Sequence, residues 1–368
     1  MAFAIVVVLL VVGSVLFHFW SPWWFTPIAS NWGDMDATTM ITFWVTGVVF
    51  VAVNFFVAYC VYKFRHSDDR RAAYEPENKK LEGWLTGVTA LGVFAMLAPG
   101  LIVYSDFVEV PQEAVVFEAV GQQWQWSFRY PGEDGVLGQA DNRNITAENP
   151  LGIDLQDANG NDDIVVLGAP AHIELDRPVK INLRSRDVLH DFYVPQFRAK
   201  MDLVPGLVSY FWMTPTRTGT FEILCAELCG VGHYIMRSEI IVDEPDDYRA
   251  WLSQQMTAAQ LRGGGAATVT VGGDQAERGR EIARVKGCVA CHSTDGSKGL
   301  GPSWKGMYGR TETLVDGSTV VVDDEYIRES IREPNAKLVE GYAPVMITLP
   351  LTDDEIDALI ALAKALSE

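Results

Sequence analysis

Three long apolar runs crowd the first 104 residues of this 368-residue chain, and short alternating segments follow them. Residues 2–20 are almost wholly apolar, about the length that spans a bilayer. No Lys or Arg precedes the run, and only Pro27-Ile-Ala-Ser30 offers a poor small-residue cleavage site. The run reads as a retained membrane helix, with an unprocessed signal as the alternative. A second apolar run covers 38–64 and a third covers 84–104. The short loop between them carries Lys63, Arg65, Arg70, Arg71, Lys79 and Lys80, and such a basic cluster marks the cytoplasmic side. The loop at 21–37 and everything after residue 105 then lie on the outer, in a bacterium periplasmic, face. Trp20, Trp23, Trp24 and Trp32 crowd the outer end of the first run, as interfacial aromatics do.

Beyond residue 109 the pattern changes to period two. Alternating segments at Glu113–Val120, Trp124–Tyr130, Ile164–Leu167, His172–Leu175, Val179–Ser185, Leu207–Met213, Gly219–Leu224 and Ser238–Val242 are separated by Gly, Pro, Asn and Asp. Many short strands with turn residues between them predict a β-sandwich or barrel. Residues 133–162, rich in Gly, Asn and Asp, read as a long surface insertion. Residues 244–261 read as a short helix, and Arg262-Gly-Gly-Gly-Ala-Ala as a flexible linker. Helical spacing returns at Glu277–Lys286, Asp324–Arg332 and Thr352–Leu366, the last opening on the capping-box pattern Thr352-Asp-Asp-Glu355. The resulting plan is a membrane-anchored multidomain chain. A transmembrane anchor occupies 1–108, a β-domain 109–250, a short helix and Gly-rich linker 251–272, and an all-α domain 273–368.

Composition narrows the partners. A formal net charge of −19 argues against nucleic acid and favours a basic partner, or simply keeps an exposed domain soluble. Of five cysteines, Cys60 sits inside an apolar run and reads as a small buried hydrophobe. The other four form two tight pairs with nearby histidines, a pattern of metal or cofactor attachment more than of a disulfide framework.

The first pair lies in Cys225-Ala-Glu-Leu-Cys229-Gly-Val-Gly-His233-Tyr-Ile-Met236. Two thiolates suit copper, zinc or iron–sulfur clusters; imidazole suits copper and zinc; a thioether favours copper. Zinc with two cysteines usually shows two histidines or two more cysteines at regular spacing. His190, 35 residues upstream, could close the site from a neighbouring loop. Taken singly, each residue has an ordinary alternative: core packing for Met236, a satisfied polar group for His190, a disulfide for the cysteines.

This run resembles the binuclear copper (CuA) motif of cytochrome c oxidase subunit II, a family with a membrane anchor of two helices and a cupredoxin-like β-barrel. The resemblance implies that Cys225 and Cys229 bridge two copper ions. It further implies that His190 and His233 each supply an imidazole, Met236 ligates one copper, and the main-chain carbonyl of Glu227 ligates the other. Gly121-Gln-Gln-Trp124-Gln-Trp126 resembles the family's aromatic segment, which gives Trp124 the role of the residue at which electrons reach the copper site. Gln125 stands where an aromatic is common. Leu81-Glu82-Gly-Trp84 resembles a helix start at which the carboxylate, here Glu82, lies near the mouth of a proton channel. The side chain of Glu227 resembles a ligand to a magnesium ion shared with subunit I. The additional apolar run at the N-terminus departs from the two-helix plan.

The second pair, Cys288-Val-Ala-Cys291-His292, is the C-x-x-C-H pattern of covalent c-type haem, in which two thioethers fix the porphyrin and the histidine binds iron. A redox or zinc CxxC is the alternative. Met346, in Gly341-Tyr-Ala-Pro-Val-Met346, precedes the last helix as in class I cytochromes c and is the expected sixth ligand, with Met307 as runner-up. The combination resembles caa-type oxidases, in which a cytochrome c domain is fused to subunit II.

The resemblance implies an electron relay in the bacterial plasma membrane. A cytochrome c or a quinol:cytochrome c reductase would be the donor, and haem–copper subunits I and III the partners. Oxygen reduction and proton pumping then belong to subunit I. Two alternatives are the CuA subunit of a nitric oxide reductase-type complex and a membrane-tethered copper carrier or redox sensor.

Overall fold

The computed structural model describes residues 2–21, 26–71, 74, 76–146, 149–262, 274–349 and 351–367. Trp23 and Trp24 and most of the Gly-rich linker lie outside the described residues. Residues 1–110 and 111–368 form two units.

In the first unit, helices α1 (Ala2–Trp20), α2 (Gly33–Lys63) and α3 (Lys79–Val108) are each long and apolar enough to cross a membrane. The latter two start five residues before their apolar runs, because polar residues serve the helix ends. Asp34 and Asp36 lie in the first turn of α2, where carboxylates complement the positive end of the helix dipole. Asn78 caps α3, its side chain accepting the Leu81 N–H at 3.0 Å. Large apolar side chains such as Leu9, Leu16, Phe43, Phe56, Leu91 and Phe94 point away from the protein. A face of that kind suits hydrocarbon rather than water.

The second unit opens with two packed sheets. Strands β1 (Val115–Gln122), β2 (Gln125–Tyr130), β3 (Ile164–Leu167), β4 (Ala171–Glu174), β5 (Val179–Ser185), β6 (His190–Val194), β7 (Ala199–Leu203), β8 (Ser209–Met213), β9 (Gly219–Cys225) and β10 (Arg237–Asp243) account for every alternating segment of the sequence. With β11 (Met256–Thr257) they form a six-stranded sheet, β11-β3-β2-β1-β5-β8, and a five-stranded sheet, β4-β10-β9-β6-β7. Trp126, Phe128, Phe192, Phe211 and Ile223 fill the space between. The sequence reading missed β6 and β7. In β6 four of the five residues are buried, His190 and Asp191 among them, so no polar–apolar alternation shows.

The insertion at 133–162 is more than surface. It delivers Leu151 and Ile153 into a cluster with Val120, Val165 and Ala258. Buried charges hold it there. Arg129 Nη1 donates to the Gly138 carbonyl at 2.6 Å and to Asp163 at 2.7 Å. Its Nε donates to Glu118 at 3.1 Å. Arg184 Nη2 donates to the same Glu118 oxygen at 3.1 Å and to the Leu151 carbonyl at 2.7 Å. Burial alone would raise the Glu118 carboxyl, but the Arg129 and Arg184 guanidiniums hold it below its ordinary value.

The expected helix over 244–261 is shorter. Helix α4 (Pro245–Leu252) stops because the chain turns to pair β11 antiparallel with β3, and α5 (Ala258–Gln260) follows with its own capping box. Trp251 of α4 stacks on His172, ring centroids 4.1 Å apart.

The rest of the unit holds α6 (Gln275–Val285), α7 (Cys288–Cys291), the hairpin β12 (Thr311–Thr313) and β13 (Thr319–Val321), α8 (Asp324–Arg332) and α9 (Asp353–Ala365). The capping box at Thr352 and Glu355 forms as the sequence predicts. Helices α6 and α9 cross closely at Gly279, where a Cβ would fall 2.1 Å from the Ala358 carbonyl oxygen. Ile282, Ala283, Trp304, Leu359 and Leu362 pack around that crossing.

Candidate metal centre and haem pocket

Strand β9 ends at Cys225, a loop returns through Cys229 and His233, and β10 begins just after Met236. Strand β6 runs beside β9, pairing Phe192 with Cys225, and so places His190 against the loop from the strand itself. The six atoms singled out from sequence converge. Cys225 Sγ and Cys229 Sγ are 3.6 Å apart, and His190 Nδ1 lies 3.9 Å from Cys225 Sγ. His233 Nδ1 lies 3.6 Å and Met236 Sδ 3.8 Å from Cys229 Sγ. The Glu227 carbonyl oxygen is 3.2 Å from Cys225 Sγ. Two thiols, two imidazoles, a thioether and a carbonyl in one shell make a soft donor set that fits copper.

Asp187, which the sequence reading did not single out, fixes this geometry. Its Oδ1 lies 2.8 Å from His190 Nε2, and its Oδ2 accepts the Gln123 backbone N–H at 2.7 Å. With Nε2–H given to Asp187, the Nδ1 lone pair of His190 faces the cysteines. Burial pushes the Asp187 carboxyl up, but hydrogen bonds from His190 and from the Gln123 and Val188 amides outweigh it and hold it low. The two thiols split. Burial opposes ionisation of Cys225, yet His190 and backbone amides bring it down to about 6. Burial and the neighbouring Cys225 thiolate push Cys229 up to about 12.

Trp124 covers the loop. Its indole N–H donates to the Cys229 carbonyl at 3.1 Å, beside the Gln123 side-chain amide at 2.9 Å. The ring lies on Gly232, where a Cβ would fall 2.3 Å from the indole. Trp126 lies deeper in the core, its ring 5.4 Å from that of Phe192.

In the helical part, Gly287 takes φ +79°, a left-handed conformation suited to glycine, and starts the single turn α7 that carries Cys288 and Cys291 on one side. His292 Nδ1 bonds the Pro302 carbonyl at 2.8 Å, and the residue lines a cavity that opens to solvent. Burial lowers the imidazole's basicity, which keeps it neutral and able to donate a lone pair. Gly301 permits this packing, since a Cβ there would fall 2.5 Å from the ring. Cys288, Cys291, Met307 and Met346 line the same cavity, and so do Gln123 and Trp124. Its apolar wall, with the two cysteines and His292 on it, fits a porphyrin attached through the cysteines. Met307 packs against both hydrophobic clusters of the helical part, whereas Met346 belongs to neither. Glu82 lies exposed in the first turn of α3, in the other unit.

The comparisons with known proteins divide the chain in the same way. Residues 115–244 match the family described as cytochrome C oxidase subunit II, periplasmic domain, and residues 276–367 match the family described as cytochrome c. An alternative cytochrome c oxidase subunit 2 from Bradyrhizobium diazoefficiens is 60% identical over 263 residues, 72% of this chain and 95% of that one. A cytochrome c oxidase subunit 2 from Alkalihalophilus pseudofirmus is 26% identical over 341 residues, 90% of this chain and 86% of that one. The second alignment is long enough to run across both matched regions. The two domain types imply binding of copper and of haem c, and association with other oxidase subunits. The chain belongs to the cytochrome c oxidase subunit II family, as a subunit II fused to a cytochrome c domain, and is an electron-transfer subunit of a haem–copper oxidase.

Proposed function

We propose that the chain takes electrons from a donor on the outer face of the plasma membrane at a covalent haem c and delivers them, through a dinuclear copper centre, to subunit I, where oxygen is reduced. When bound, the haem and the copper pair supply one-electron redox chemistry with little rearrangement. Cys288 and Cys291 would hold the haem covalently, and His292 and Met346 would supply its iron ligands. Cys225 and Cys229, with His190, His233, Met236 and the Glu227 carbonyl, would hold the coppers. One observation carries the reading: the Trp124 side chain lines the haem cavity and hydrogen-bonds the backbone of Cys229. A single aromatic group therefore touches both sites. The three apolar helices would anchor the chain as a multi-pass protein beside subunits I and III. The Glu227 side chain would share a magnesium ion with subunit I, and Glu82 would stand near a proton-channel mouth. A cytochrome c or a quinol:cytochrome c reductase would supply the electrons. Purification from the native membrane should yield two coppers and one haem per chain together with a polytopic haem–copper subunit; one copper per chain and no such subunit would contradict the reading.

Two predictions concern ligands. Copper loading must displace a thiol proton, because burial and the neighbouring Cys225 sulfur hold the Cys229 thiol up. Copper affinity should therefore rise with pH above neutrality. Competition with a chelator at three pH values measures this, and a flat profile contradicts it. For the haem, Met346→His should lower the reduction potential, since His/Met ligation raises it. Met307→Leu should leave the potential unchanged and cost at most about 1.5 kcal/mol of stability, as a volume-conserving core substitution. The reverse pattern would assign the ligand to Met307.

A further inference from the structure

The β-part that bears the copper ligands and the helical part that bears the haem motif meet at a close contact. Gln125 follows Trp124 in β2, and Gly287 precedes Cys288. The Gln125 side-chain amide donates to the carbonyls of Arg284 and Val285, each at 3.3 Å. Arg284 donates in the other direction, from Nη1 to the Leu167 carbonyl at 2.8 Å, while Glu281 on its own helix pairs its charge. Two glycines bring the backbones together. A Cβ on Gly168 would fall 2.3 Å from Gln125 Nε2 and 2.7 Å from the Arg284 carbonyl oxygen. A Cβ on Gly287 would fall 2.4 Å from Gln125 Oε1. Both glycines have positive φ, +58° and +79°, so a side chain at either would be strained as well as crowded. Gln125 is only 9% exposed, and of its amide only Nε2 is hydrogen-bonded, Oε1 being buried without a partner.

We propose that Gln125, Gly168 and the Arg284–Gly287 turn form a fixed docking joint that holds the haem crevice against Trp124. Transfer inside the chain then needs no diffusional search, and Trp124 is withheld from a soluble donor, which must deliver to the haem instead. Gln125 acts as a positioning residue. The inference rests on the electron route proposed above. The supported step moves one electron, oxidising the haem side and reducing the copper side, with no bond made or broken. Charge-steered docking weakens steeply with salt. A joint made on backbone carbonyls through close-packed glycines should not.

The test uses the full chain in detergent, loaded with both cofactors, in wild-type form and as Gln125→Glu and Gln125→Met. Gln125→Glu keeps the shape but turns a carboxylate toward two carbonyl oxygens; Gln125→Met removes the donor without adding charge. Unchanged haem and copper absorption establishes that each variant is folded. Hydrogen exchange is followed in peptides covering 123–130 and 284–292, and haem-to-copper transfer after flash photoreduction is followed across ionic strength. The joint predicts a salt-independent rate in the wild type. In both variants it predicts exchange about tenfold faster in both peptides, the scale of one to two lost hydrogen bonds, with a slower, salt-sensitive transfer. Unchanged exchange in both peptides, or a wild-type rate that falls steeply with salt, would overturn it. If no electron passes in the wild type, the electron route fails, while exchange protection that is lost in Gln125→Glu would still establish the joint.

Discussion

Cys229→Ser should abolish oxygen consumption by the assembled oxidase while the chain keeps its haem. The reason is the position of Cys229 at the centre of the donor set. His233 and Met236 each approach its sulfur within 4 Å, and the Cys225 sulfur lies 3.6 Å away. A hydroxyl is a hard, weakly acidic donor and cannot replace a thiolate in a soft donor set. Losing a partner that merely orients a ligand, as in Asp187→Asn, should be milder, about 10–100-fold in copper affinity. In the proposed reading the haem side would depend on other residues, Cys288, Cys291 and His292, so covalent haem and its reduction by an added donor should persist. Metal analysis and a haem stain on the same preparation check both halves. A Cys229→Ser chain that retains two coppers and supports turnover would remove the site from the electron path.

Arg129→Met should destabilise the β-part strongly, by about 3–5 kcal/mol. Arg129 is 3% exposed; it pairs with Asp163 and shares Glu118 with Arg184. Its removal leaves Asp163, itself fully buried, without the cation that faces it, and exposes the Gly138 carbonyl to an empty position. An uncompensated buried charge costs far more than the net worth of the pair. Removing the facing charge as well, as Arg129→Met with Asp163→Asn, leaves Glu118 paired with Arg184 and should therefore restore part of the loss. The midpoint of thermal loss of the copper-site absorption measures this series. Equal midpoints for Arg129→Met and wild type would show that solvent reaches the cluster.

Both predictions separate what the sequence discloses from what it hides. The donor residues were legible because the metal dictates their types and the loop keeps most of them within one short run, Cys225 to Met236. The haem motif is likewise local, Cys288 to His292. His190 was legible as a candidate by its chemistry alone, but its placement at the head of β6 was not. That strand is covered on both faces, so its pattern lacks alternation. Strand β2 shows the same effect more strongly. Gln125, Ser127 and Arg129 alternate with aromatics and read as a solvent face, yet all three are buried. One end of that face is covered by the helical part and the other by the insertion, through contacts that span up to 160 residues of sequence. Asp187 was hidden for a related reason. Its role appears only once β6 and the turn before Trp124 are brought together across 64 residues.

The central claim is an ordered path, from haem to copper pair, across Trp124. It is tested most directly by photoreducing the haem in the purified, doubly loaded chain and following haem absorbance and copper EPR on the same time base. The account predicts that the haem reoxidises as the copper signal, arising from one unpaired electron shared over two coppers, disappears with the same rate constant. Trp124→Leu should slow both changes together while both cofactors stay bound. Copper reduced without haem reoxidation, or a copper signal arising from a single isolated ion, would contradict it.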